Sequence, residues 1–503
     1  MKRTVRRQLG ALALCAVLAL GLVTPASAAR FADVPAGYWA ADAIERCADL
    51  GFFRGRGPGH FGVGQAMSRG SFVVVLTRFF GWETAEAAGL PFTDVPADAW
   101  YAPALATALR HGAVTLQSPE FRPTEPLTRE ELAVSLVRGL GYTPLSGMAQ
   151  ERDLPFTDVT SNRGYIAMAL DLGLVNGTTA TTFSPSRVAT REQVAVMLMR
   201  LYDKLHSESS RLAILRDGAE LPDLTGFDTV ALYGGKLVPA DSSASLVMAP
   251  SEEARTAMEA AVPQGARRLL YVTGGPSILT EGRDQNVAAL LAGQVEQAGL
   301  DGLFLDVPGL RRGEHMQGFN ALVKALRTAL GQKQLYLAVE APCVSGHTYE
   351  GYDYAQLGRL ADRLVVRVHS HADHSGQVAV APVEPLEEVY YGLRQLRRQV
   401  PAEKLVLWMS TDATVWGQKT QVAALTGLEV QALLEEEEPE VYYSRRYGCA
   451  YFLTKLDRRD VTVWYPNGES VSQRVQLSRL FGADGVALSS VGGVTAETME
   501  GLE

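Results

Sequence analysis

The chain has 503 residues, 47 % of them hydrophobic and 20 % charged, with a formal net charge of −9. That balance excludes a disordered chain and a strongly basic nucleic-acid surface, and the length predicts two or three domains. The four cysteines are widely spaced and form no disulfide framework.

Lys2, Arg3, Arg6 and Arg7 precede an apolar run from Leu9 to Val23, and Pro25-Ala26-Ser27-Ala28-Ala29 offers small residues for cleavage after Ala28 or Ala29. This is the layout of a secretory signal over residues 1–29, with an apolar run too short for a comfortable membrane span. No later run is long and apolar enough to cross a membrane, so an exported protein without a transmembrane segment after cleavage is expected. Cys15 leaves with the signal. Cys47, Cys343 and Cys449 read as buried small hydrophobes, and one bridge among them stays open.

A pattern then recurs. Phe31-Ala32-Asp33-Val34, Phe92-Thr93-Asp94-Val95 and Phe156-Thr157-Asp158-Val159 start units 61 and 64 residues apart. Each leads through aromatic residues (Tyr38-Trp39, Trp100-Tyr101, Tyr165) into an Ala-rich helical stretch that stops at Gly51, Gly112 or Gly173, a residue that accepts the left-handed conformation closing a helix. A second helix in each unit starts at Ser68-Arg69-Gly70, Thr128-Arg129-Glu130 and Thr190-Arg191-Glu192. Thr128 with Glu131 and Thr190 with Gln193 have the spacing of a capping box. Two short helices cannot bury their apolar faces alone, so three copies predict one stacked all-α repeat domain.

These motifs resemble the S-layer homology domain, in repeats spanning 30–91, 92–155 and 156–205. The resemblance implies non-covalent binding to a pyruvylated, anionic secondary cell-wall polymer in grooves between repeats, at the bacterial cell surface. The matching positions are Arg69, Arg129 and Arg191 at the helix starts and Asp33, Asp94 and Asp158 in the openings. An Arg at a helix N-terminus adds a guanidinium fork to free N–H donors, a good anion site; an ion pair holding the repeats together is the alternative. Repeat one has Ser-Arg-Gly-Ser for Thr-Arg-Glu, and repeat three lacks the Trp-Tyr pair, so a purely structural groove is also expected.

Turn residues accumulate over 206–224, which reads as a linker. From 225 to 503 apolar runs alternate with helical stretches: 229–233, 268–273, 302–307, 335–339, 364–368, 405–409, 461–465 and 485–488. About eight strands in this length predict a (β/α)8 TIM barrel. A doubly wound sheet is the alternative, without its Gly-x-Gly-x-x-Gly turn. Gly299 to Gly309 is the key run, apolar within and bearing Asp301 and Asp306 at its two ends.

The strand order, with Tyr352 to Gly358, Val380-Ala381-Pro382-Val383 and Val463-Trp464-Tyr465, resembles glycoside hydrolase family 18, in its chitinase-like cell-wall and spore branch. The family motif Asp-Gly-x-Asp-x-Asp-x-Glu falls on Asp301, Phe304, Asp306 and Pro308. Proline stands where the resemblance implies a proton-donating Glu. A Tyr-Asp pair falls near Ser370-His371 and an aromatic floor on Ser489. Two functions follow. One is a degenerate, glycan-binding pseudo-enzyme, with Asp301, His371, Trp464 and Tyr465 toward substrate. The other is a glycosidase on N-acetyl amino-sugar polymers, peptidoglycan or chitin-like, using Asp306 and Glu340 as the carboxylate pair such cleavage needs; structural acids are the alternative for that pair.

His369-Ser370-His371-Ala372-Asp373-His374 spells the metal signature of the metallo-β-lactamase superfamily, but no His follows to complete that site, and its flanks match a barrel loop. No cofactor or metal is expected, with His369, His371, Asp373 and His374 as a weak metal candidate. Tyr390, Tyr391, Tyr442, Tyr443 and Trp416 read either as sugar-stacking surfaces or as packing.

Overall fold

The computed structural model describes residues 30–502 apart from 88, 151, 217–220, 242, 248, 280–281, 312, 345–350, 370–379, 419 and 490. The chain divides into two compact units. Residues up to Leu132 with Pro185–Met199 form one; Ala133–Ser184 with Arg200 onward form the other.

In the first unit, helices Arg69–Phe79, Arg129–Gly139 and Arg191–Leu205 begin at the three motif arginines. Ser68 Oγ accepts from Ser71 N–H, and Thr128 with Glu131 forms the predicted reciprocal cap. Such a cap stabilises by about 1 kcal/mol. At the third start only half of the box forms: Thr190 N–H donates to Gln193. Gly51, Gly112 and Gly173 end their helices at φ of 74°, 71° and 69°, as a left-handed terminus requires.

The residues just before these starts close a ring. Met67 N–H donates to Ala189 O (2.9 Å), Ala189 N–H to Leu127 O (2.8 Å) and Leu127 N–H to Met67 O (2.7 Å). Each repeat thus satisfies the backbone of the next, giving a pseudo-threefold hub. Isolated β-bridges at Ala66–Thr190, Ser68–Pro126 and Thr128–Val188 belong to it, so the repeat region is helical but joined by extended backbone.

The second unit holds a closed barrel. Its strands are β1 Ser210–Leu215 and β2 Thr229–Pro239, with β3 Ala244–Val247 pairing antiparallel on the end of β2; then β4 Arg267–Thr273, β5 Gly302–Asp306, β6 Gln334–Glu340, β7 Arg363–Arg367 and β8 Leu405–Ser410. After β8 an insertion forms a second, antiparallel sheet from β9 Ala413–Gly417, β10 Thr420–Leu425, β11 Val441–Ser444, β12 Cys449–Leu456 and β13 Arg459–Tyr465. β14 Gly485–Ser489 returns to the barrel between β8 and β1, and β1 pairs parallel with β2 to close it.

Two sequence expectations are corrected. The predicted linker contains β1, whose Leu212, Ala213, Ile214 and Leu215 are all buried; a strand covered on both faces shows no alternation to mark it. The run 461–465 is β13 of the insertion, not a barrel strand. Val461 and Val463 pack with Phe452, and Tyr465 packs against that cluster, while Trp464 faces the other way, the period-two pattern of an antiparallel sheet.

The barrel interior is filled by Leu212, Ile214, Ala231, Leu269, Tyr271, Phe304, Tyr336, Ala338, Val365, Val406, Trp408 and Ala487. These alternate along their strands, as inward residues of a small barrel must. The first half of the third repeat belongs to this unit through a buried polar joint: Asp171 pairs with Arg152 and accepts from Tyr390 Oη at 2.7 Å, and Arg397 donates to its carbonyl at 2.9 Å.

Candidate functional site at the barrel mouth

Continuing the inward alternation by one step at the carboxyl end of each barrel strand gives Arg216, Lys236, Thr273, Asp306, Glu340, Arg367, Ser410 and Ser489. The ring is therefore polar directly above an apolar core, at the end where barrel enzymes assemble their chemistry. Lys236 joins it because β2 carries a bulge: Tyr233 lies opposite Tyr271, but Lys236, three residues on, lies opposite Thr273, two residues on. One extra residue reverses the parity that would have turned Lys236 away. Thr273 in turn lies opposite Asp306.

Seven of the eight, all but Glu340, line a cavity of about 690 Å³ with Tyr233, Pro308, His369, Glu384, Trp408 and Asp412 among its other walls. A volume of this size admits a saccharide. Asp306, 3 % exposed, is tied by one oxygen: Oδ2 accepts from Arg367 Nη2 at 2.6 Å and Tyr271 Oη at 3.1 Å. Its Oδ1 has no partner among the described residues. Arg367 lies 4.2 Å from the Trp408 ring, which fixes the guanidinium from the other side. Glu340 is buried outside the cavity lining, accepts the Gly309 N–H at 3.3 Å and meets His369 Nε2 at 3.3 Å. Asp306 and Glu340 are therefore engaged by different side chains, Arg367 and His369.

A carboxyl that sequence reasoning missed stands in the same cavity. Glu384 follows Val383 in the loop before helix Leu386–Leu396 and accepts from Ser410 N–H at 2.8 Å. Burial pushes it up to about 7, against the opposing pull of Arg474, the Ser410 N–H, Arg367 and His369. Nothing in Pro382-Val383-Glu384-Pro385 marks it locally. Only the fold, which buries it beside the end of β8, makes it a titrating group near neutrality.

Other predicted positions fall elsewhere. Asp301 precedes β5 at its amino end, one strand length from the mouth, and accepts the Arg268 N–H at 2.7 Å; its assignment toward substrate is corrected to a barrel-floor tie. Trp464 and Tyr465 are likewise corrected to packing in the insertion: Trp464 sits with Trp416, Cys449 and Tyr451, and Tyr465 packs edge-on to Phe452. Tyr390 is fully buried on Asp171. Cys47, Cys343 and Cys449 are buried and form no disulfide among the described residues. His371, Asp373 and His374 lie outside the described residues; His369 is committed to Glu340.

In the repeat hub the three arginines differ. Arg69 pairs with Glu131 and lies over the Phe121 ring. Arg191 is 6 % exposed, donates to Phe61 O (2.9 Å) and Arg54 O (3.1 Å), and lies between the Phe53 and Phe61 rings. Burial first, then the charge of Arg56, lowers it to about 10. Arg129 is lowered by burial and by Arg187 beside it, a like-charge pair. Asp33, Asp94 and Asp158 accept backbone N–H groups at Phe61–Val63, Phe121–Arg122 and Phe183–Ser184, each tying its repeat's opening to the turn before the second helix.

Comparison with known proteins finds S-layer homology domains at residues 30–73, 91–133 and 155–195. The chain is 30 % identical over 206 residues to the surface-layer 125 kDa protein of Lysinibacillus sphaericus, which is 40 % of this chain and 17 % of that protein. It is 33 % identical over 144 residues to an endoglucanase of Bacillus sp. strain KSM-635, 28 % of this chain and 14 % of the relative. The chain thus spans less than a fifth of the length of either relative. Among solved structures, a class V chitinase from Pseudomonas fluorescens matches with a TM-score of 0.52 at 17 % identity, over 59 % of this chain and 100 % of that one. A chitinase from Chromobacterium violaceum matches at 0.50 and 19 %, over 59 % and 99 %. At such identities the likeness is one of fold. The chain is a secreted, cell-wall-associated protein that carries three S-layer homology domains and a barrel of the chitinase fold.

Proposed function

We propose that the repeats hold this protein to an anionic secondary cell-wall polymer and that the barrel binds glycan without cleaving it. The observation that carries the barrel reading is the pairing of Asp306 with Arg367 below Pro308: the family's acid position has no proton to give, and the neighbouring carboxylate is held as an ion pair. For the anchor, Arg129 with Arg187 is the supporting feature: the two like charges lie close enough to lower Arg129, and a polymer carboxylate relieves that repulsion. Pyruvylated sugars supply such a carboxylate. Trp39 and Trp100, 60 % and 67 % exposed, offer flat faces on which pyranose rings stack.

A hydrolytic reading has one observation in its favour. Glu384 keeps a proton near neutrality and lines the mouth, as a general acid would. The test is incubation of the full chain with peptidoglycan stripped of its secondary polymer, so that retention reports the barrel. Retention with no new reducing ends is expected. Release of reducing ends that disappears in Glu384→Gln or Asp306→Asn overturns the non-hydrolytic reading.

A further inference from the structure

We infer that the barrel mouth selects a carboxylate-bearing sugar, held by Arg216 and Lys236, in preference to a neutral one. This rests on the glycan-binding reading and names its ligand class. Arg216 follows β1 and Lys236 stands on the neighbouring β2, both facing the cavity. Arg216 Nη2 donates to Tyr271 Oη at 3.2 Å, which orients its fork without neutralising it, and neither cation meets a carboxylate among the described residues. Arg367 is different, because Asp306 already claims it.

The charge of the mouth runs against that of the chain. Below about pH 7, where Glu384 holds its proton, Arg216, Lys236 and Arg367 outnumber Asp306 and Asp412, in a protein whose net charge is −9 at pH 7. A concave site with low-dielectric walls focuses such a local excess. Asp306 Oδ1 supplies a second, independent sign of a ligand: it is a buried acceptor on the cavity wall with no donor among the described residues, and an orphaned acceptor is costly unless something donates to it. The chain Arg216–Tyr271–Asp306–Arg367 therefore presents a cationic fork at one end and an empty acceptor further along. A pyranoside with a carboxylate on one side and a hydroxyl or amide N–H on the other fits both.

Two glycan sources share this chemistry, a lactyl ether on an amino sugar and a uronic acid, and calorimetry on the full chain separates them. The probes are the N-acetylglucosamine–N-acetylmuramic acid disaccharide, its methyl ester, di-N-acetylchitobiose and digalacturonic acid. The acid is expected to bind roughly tenfold tighter than its ester, the size of one charge-assisted contact, with the advantage shrinking as salt rises. In Arg216→Gln/Lys236→Gln the acid-to-ester ratio is expected to fall to about one. Tight binding of only one of the two acids assigns the source and supports the inference. Equal binding of acid and ester overturns it while leaving glycan binding intact, as does a preference that survives in the double variant. Binding of none of the probes overturns both.

Discussion

The repeat hub and the barrel mouth both set cations at the ends of secondary-structure elements, and they dispose of them in opposite ways. In the hub, three copies of one motif put Arg69, Arg129 and Arg191 at the same helical position, yet one is ion-paired, one is buried against carbonyls and aromatic rings, and one stands beside a second arginine. Their neighbours come from other repeats, so small differences there give identical motifs unlike environments. In the mouth, seven residues from seven barrel strands converge on one cavity rim by a shared parity. Repetition in sequence therefore did not produce equivalence, whereas repetition of geometry produced a single site.

The comparison is most sharply broken at Asp306. Asp306→Ala leaves Arg367 buried without its counter-charge and is expected to destabilise the barrel unit by about 3–5 kcal/mol, read as a lowered urea midpoint; a loss below about 1 kcal/mol would mean that the pair is not desolvated.

Glu384 tests the mouth through pH. Its folded value, about 7, lies above the ordinary 4.5 of a glutamate, so the folded state holds the proton more tightly than the unfolded one. The associated stability is complete below about 4.5 and is lost as pH rises through about 7. Glu384→Gln, which cannot ionise, should match the wild type near pH 4 and exceed it by roughly 3 kcal/mol at pH 9. A difference that does not change with pH would show the carboxyl to be solvated.

The hub arginines should then sort by environment. Arg191→Ala removes donors to two carbonyls and the packing against two rings, and a loss of about 2–3 kcal/mol is expected. Arg129→Ala is expected to cost less stability than Arg191→Ala while weakening retention on purified cell walls. Similar stability losses in both variants, or undiminished retention in Arg129→Ala, would erase the distinction between structural and polymer-facing positions.

By itself the sequence determined the features that lie within a few residues of their cause. The helix starts, the Thr128–Glu131 box and the left-handed glycines were legible because a cap is satisfied within one turn. The buried strands of the barrel were legible as apolar runs, and Pro308 declared itself by being proline. Only the tertiary structure decided that Leu212–Leu215 closes a barrel while 461–465 serves a separate sheet, because a short apolar run does not say which neighbour will cover it. Only it decided that Asp301 lies on the floor, that a bulge turns Lys236 into the mouth, and that Glu384 keeps a proton near neutrality. Each of these depends on desolvation or parity set by strands distant in the chain, and no local spacing encodes that.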